Sequence, residues 1–167
     1  MTEAGPARAP SRSEIAERHR WDLTHLYTSD AEFAAAFTKV EKLVERLAGS
    51  RGTLSKSAQS LCEAMQLRDE CFTQLERVVL YCGLSHHEDM SLTAGQARWD
   101  RAQSLTTKAS EASSWFAPEI LNIPADTLAT WLSKSESLAV YRHAIDDILR
   151  QRTHVLSERE EELLAMA

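Results

Sequence analysis

Apolar positions through the middle of the chain recur in steps of three, four or seven. From about Ala58 to about His86 they fall at Leu61, Met65, Phe72, Leu75, Val79 and Cys82. From about Leu92 to about Phe116 they fall at Ala102, Leu105, Ala109, Ala112 and Phe116. Such spacing sets each group on one helical face, and at 1.5 Å per residue each helix is roughly 40 Å long. Only a few residues join the two, so they are expected to fold back antiparallel as an αα-hairpin. The alanine seam of the second helix implies close approach of neighbouring backbones.

The same pattern orders the flanks. Arg20 to Tyr27 has no period; Trp21, Leu23, Leu26 and Tyr27 are expected to anchor an irregular segment. Ser29 and Glu32 have the spacing of a capping box, and Phe33, Phe37, Val40, Val44 and Leu47 form the buried stripe of the helix that follows. Gly49 is read as its C-terminal stop. After Phe116, Pro118 and Pro124 each suit a helix's first turn. Pro124 opens a helix over about 125–133 with Leu128, Trp131 and Leu132 inward. Ser135 or Ser137 caps another, with Leu138, Tyr141, Ile145, Ile148 and Leu149 inward; Arg150 and Arg152 suit the dipole at its end. A second capping box, Ser157 to Glu160, starts a helix that stops at Ala167, as in a chain cut from something longer.

The expectation is an all-α fold, an antiparallel helical bundle of about six helices built on the long hairpin. Residues 1–14, which lack bulky apolar side chains apart from Met1, read as a disordered tail. Residues 15–117 read as a helical hairpin or bundle domain, and 118–167 as the truncated start of the next helical lobe.

Composition narrows the function classes. The 167 residues suffice for one domain with a proper core. The net charge is −6 with no Lys/Arg run, so the electrostatic footprint of a nucleic-acid binder is missing. No apolar run reaches the roughly 18 residues of a membrane span, and no signal-peptide core is present. The three cysteines, Cys62, Cys71 and Cys82, lie in one predicted helix and read as buried free thiols rather than a disulfide framework. A cytoplasmic protein without nucleic-acid or membrane partners is expected.

Candidate chemistry is thin. His87-Glu88 resembles the start of a His-Glu-x-x-His zinc motif, which needs histidines at i and i+4 on one helical face. Ser91 stands four residues after His87 and Met90 four after His86, so the second ligand is missing. His86, His87, Glu88 and Asp89 therefore read as a solvated helix end. His19, His25, His143 and His154 are scattered without partners at ligand spacing. Tyr141, Arg142 and His143 with Asp146 and Asp147 fit a cleft that grips peptide ends; they fit ordinary i,i+4 surface pairs better. Trp99, Trp115 and Trp131 read as core or domain contacts rather than channel aromatics. Arg150 and Arg152 are candidates to clamp carboxylates of a following domain.

Several stretches line up with one family. They are Glu17 to Tyr27 (ERHRWDLTHLY), Tyr81 to Leu84 (YCGL), Asp100 to Leu105 (DRAQSL), Phe116 to Leu121 (FAPEIL), Tyr141 to His143, and Leu149 to Ser157 (LRQRTHVLS). In this order and spacing the chain resembles the N-terminal part of oligoendopeptidase F, a bacterial zinc oligopeptidase related to thimet oligopeptidase. The resemblance runs from about residue 14 to the end. It implies an all-helical enzyme that cleaves short peptides in a deep channel. Its zinc is held by the two histidines of His-Glu-x-x-His and a downstream glutamate, with the motif's glutamate as general base. Those residues have no counterpart here. The resemblance thus implies no catalytic or metal residue in this chain, no substrate residue that can be named, and no hydrolysis by the segment alone. Its partners would be the C-terminal catalytic domain of the same protein and an oligopeptide. Two readings compete: a stand-alone helical-bundle binding module, and a regulatory paralogue that kept only the N-terminal lobe.

Overall fold

The computed structural model describes residues 12–151. Among these it contains seven α-helices and no strand: α1 Asp30–Gly49, α2 Ala58–Glu88, α3 Thr93–Ser113, α4 Phe116–Leu121, α5 Ala125–Lys134, α6 Glu136–Ala139 and α7 Arg142–Arg150. The all-α expectation holds. Three 3-10 turns precede α1, at Arg12–Glu14, Glu17–His19 and Leu23–His25. The second capping box, Arg152, His154 and most of the expected tail lie outside the described residues.

The chain divides into two compact units that interleave along the sequence. One comprises Met1–Val44 with Cys71–Ser110, the other Glu45–Glu70 with Glu111–Ala167.

In the first unit, α1, α2 and α3 pack as an antiparallel bundle. Phe33, Phe37, Val40, Leu43 and Val44 of α1, Cys71, Leu75, Val78 and Cys82 of α2, and Ala102, Leu105 and Ala109 of α3 are all buried. Each fully buried Leu or Val removes enough apolar surface from water to contribute about 1.5–3 kcal/mol. The expected face of α2 is turned by one residue here: Cys71 and Val78 are buried, while Phe72 and Val79 are half-exposed. A helix enclosed on more than one side buries a stripe too broad for a single three–four register to place. The α2–α3 hairpin is close-packed where Gly83 meets Trp99 and Gly95 meets His86. Arg77, Arg98 and Arg101 cover the aromatic edge of this core, their guanidinium carbons 4.9, 5.5 and 4.7 Å from the ring centres of Tyr27, Phe33 and Phe37. The start of α1 departs slightly from a capping box. Ser29 Oγ accepts from Glu32 N at 3.2 Å as expected, but the Glu32 carboxylate reaches Thr28, accepting from its Oγ1 (2.7 Å) and its N (2.8 Å).

The second unit is built on Leu47, Leu54, Leu61, Met65, Phe116, Ile120, Ile123, Leu128, Leu132, Leu138 and Ile145. α4 packs on α7, and α5 on α6. Glu119 of α4 ties down the α1–α2 loop, its two oxygens accepting from Gly52 N (2.8 Å) and Leu54 N (2.7 Å). Gly49 ends α1 as expected, and Gly52, at φ +79°, takes the left-handed position in the turn that follows. The expected second hairpin helix ends three residues early, at Ser113, and Phe116 opens α4. There Trp115 Nε1 donates to the Ala112 carbonyl at 2.6 Å, taking one of the free carbonyls at the helix end. The helix expected after Ser135 is broken into α6 and α7. Ser135 Oγ caps α6 by accepting from Leu138 N.

Candidate functional site

In the first unit the irregular segment before α1 runs past the last turns of α2. Asp22 holds it in shape, accepting from Thr24 N at 3.0 Å and from Thr24 Oγ1. Those hydrogen bonds, that from the Thr24 hydroxyl first, hold the Asp22 carboxyl below its ordinary range. Arg20 Nε donates to the Ile15 carbonyl at 2.7 Å. The segment leaves a cleft of about 740 Å³ lined by Arg12, Arg20, Trp21, Tyr27, Tyr81 and Glu88, among others. A smaller one of about 200 Å³ shares Arg12, Arg20, Trp21 and Glu88 and adds Ile15 and His87.

The lining is aromatic and charged. Trp21, expected to be an anchor, is 52% exposed. Tyr27 is the anchor: it is buried, its ring meets Tyr81 edge-on at 5.1 Å, and Arg77 reaches the Leu26 carbonyl beside it. The Tyr27 hydroxyl has no hydrogen-bond partner, and burial raises its phenol above the usual range against the opposing charge of Arg77. Glu88, the last residue of α2, meets Arg12 Nη1 at 2.6 Å. Charges, rings and hydroxyls of this kind suit recognition of a ligand.

The other candidate residues do not converge. His86, expected at a solvated helix end, is instead buried beside Gly95, its Nδ1 without a partner. His87 lies 6.3 Å from the Trp99 ring, Glu88 faces Arg12, and Asp89 accepts from Ser91 N and Oγ. His87, Glu88 and Asp89 thus each meet a different partner. Among the described residues, no group of three or more His, Cys, Asp or Glu could hold a metal ion. In the second unit, His143 pairs with Asp147 at 3.4 Å, and Arg150 with the same carboxylate. Arg142 instead donates to the Leu132 carbonyl at 3.2 Å. Tyr141 is hydrogen-bonded to Asp69, and burial with that bond pushes its phenol up to about 12. Trp115 is buried and Trp131 half-buried. His25 faces Asp22 at 3.5 Å, and His19 accepts from Arg18 at 3.1 Å. A second cleft of about 740 Å³, beside Arg46, Lys56, Glu63 and Glu70, is a solvated surface whose Ser50 and Thr53 hydroxyls are spent on local carbonyls. The roles of Arg12 and Glu88 were hidden from the sequence, because 3-10 turns carry no hydrophobic period.

The Oligopeptidase F family model matches residues 119–167. The chain is 36% identical over 158 residues to oligopeptidase PepF of Bacillus subtilis, covering 95% of this chain and 24% of that protein. The chain is a homologue of oligopeptidase F. It matches an N-terminal region of that family. Group B oligopeptidase PepB of Streptococcus agalactiae is 31% identical, with 94% of this chain and 26% of the relative covered. The crystal structure of oligoendopeptidase-F from Enterococcus faecium matches at a TM-score of 0.68 and 36% identity, over 82% of this chain and 27% of that one. A Chlamydophila abortus crystal structure shares the fold, at a TM-score of 0.81, 24% identity, and 95% and 27% coverage. The chain thus spans about a quarter of the length of these oligopeptidase F relatives. No helix among the described residues is long and apolar enough to cross a membrane.

Proposed function

We propose that this chain is an N-terminal helical segment, a wall or lid of the substrate channel, in a zinc metallo-oligopeptidase that hydrolyses short peptides. The observation that carries the reading is the asymmetry of coverage: 95% of this chain aligns with 24% of an oligopeptidase. Hydrolysis and its zinc then belong to the remaining length, a C-terminal catalytic domain bearing His-Glu-x-x-His. The described residues do not fit a zinc ion, since no three candidate ligands gather, so no step of hydrolysis is assigned to them. Here they wall the channel, and the peptide is the shared partner of both parts. The three buried free thiols suit the reducing cytoplasm.

The test is to read the gene beyond Ala167 and express both the chain and any longer product. A longer product should cleave a fluorogenic heptapeptide and lose that activity to a zinc chelator, while the 167-residue chain alone should be inert. A stop codon after Ala167, or cleavage by the chain alone, would overturn the proposal; the former would return the stand-alone binding module.

A further inference from the structure

Glu88 stands at a helix end with its side chain nearly enclosed. It is the last residue of α2, at the negative end of the helix dipole, and its side chain is only 10% exposed. A cation is needed there, and Arg12 supplies one at 2.6 Å through Nη1. The match is incomplete: Glu88 Oε1 accepts no hydrogen bond of proper alignment, whereas a guanidinium can engage a carboxylate with two parallel N–H groups. The two clefts meet at this pair. Their other charges are partly spent. Arg20 donates to the Ile15 carbonyl, and Asp30 faces Arg98 at 3.7 Å. Asp22 is engaged by Thr24 and His25, the exposed carboxylate of Glu17 stands on the rim, and Trp21 is half-exposed beside it.

We propose that Glu88, with Trp21 beside it, forms a guanidinium-recognition subsite that Arg12 of the chain itself occupies. The carboxylate takes the planar fork, the indole face takes the cation, and the adjoining cleft accommodates the atoms that carry the guanidinium. Arg12, tethered a short distance away, competes at a high effective concentration. The guanidinium is carried by an arginine side chain of a peptide or by a small free guanidine. The peptide source rests on the oligopeptidase reading; the guanidinium chemistry does not.

Calorimetric titration of the 167-residue chain tests this with two probes, agmatine and a capped alanine pentapeptide bearing one central arginine. The same pentapeptide with glutamate at its centre is the control. Arg12→Ala should bind agmatine at least tenfold tighter than the parent. Glu88→Gln in the Arg12→Ala background should lose at least that tenfold, and thermal unfolding monitored by circular dichroism checks that it is folded. Glu88→Asp keeps the charge on a shorter stem and should fall between them if Glu88→Gln unfolds. An arginine pentapeptide tenfold tighter than agmatine identifies a peptide as the source. Equal affinities identify a small guanidine and leave the hydrolysis proposal to its own assay. Arg12→Ala binding no tighter than the parent, or binding that survives loss of the Glu88 carboxylate, or equal binding of the glutamate control, would overturn the subsite.

Discussion

Two glycines of the α2–α3 hairpin should respond to the same substitution with opposite sign. A methyl group built on Gly83 lies 2.9 Å from Trp99 Cζ3 and 3.4 Å from Cη2. One built on Gly95 finds nothing nearer than His86 Cα at 3.7 Å, an ordinary contact. Neither glycine has a positive φ, so alanine is conformationally allowed at both. Replacing glycine in a helix recovers about 0.5–1 kcal/mol of backbone entropy. At Gly83 that gain is opposed by forcing a methyl into a rigid indole, an overpacking cost of about 1–3 kcal/mol. Gly83→Ala should therefore destabilise by about 0.5–2 kcal/mol. Gly95→Ala should stabilise by about 0.4–1 kcal/mol, toward the low end because it lies in the first turn of α3. Urea titration of the two variants reads the difference as opposite shifts in midpoint at unchanged slope. Trp99→Leu in the Gly83→Ala background should recover part of the loss, with a coupling of about 0.5–2 kcal/mol. If Gly83→Ala raises the midpoint as Gly95→Ala does, the close approach of α2 and α3 is not the constraint argued here.

Other consequences are equally specific. Glu119→Ala leaves the N–H groups of Gly52 and Leu54 without their acceptor and should cost about 1–3 kcal/mol in urea unfolding, whereas a Glu45→Ala control, exposed in the interior of α1, should change little. Burial pushes the Cys82 thiol up to about 11, so at pH 8 it stays protonated; disulfide-exchange labelling should be slow in the folded chain and rapid in urea, and immediate labelling of the native thiol would contradict its burial. The Tyr141 phenol ionises at about 12 when folded, against an ordinary value of 10.0. Between those values the folded state holds a proton the unfolded state has lost, so stability falls as pH rises through that window. Tyr141→Phe should flatten that fall in urea midpoints measured from pH 9 to 12.

The periodic segments were legible without coordinates because their physics is local. Phe33, Phe37, Val40, Val44 and Leu47 share one face at helical spacing, and all five are buried. The same holds for Ala102, Leu105 and Ala109, and for Leu128 and Leu132. The ends of helices were read less well. Gly49 was legible as the stop of α1, but the left-handed position of Gly52 depends on where the loop is caught, and a carboxylate 67 positions away, Glu119, catches it. The choice of Val78 over Val79, and the break between α6 and α7, likewise depend on which neighbours close over each face.

The amino-acid order by itself determined the helical class, the hairpin, the alanine seam and the absence of a complete His-Glu-x-x-His, since each is a matter of spacing within one segment. Only the tertiary structure decided that the segment before α1 opens a cleft, that Trp21 faces solvent while Tyr27 is sealed beneath Arg77, and that Arg12 meets Glu88 across 76 positions of chain. Contacts between irregular turns and a helix end leave no period in the sequence. They follow from shape and charge once the chain is folded.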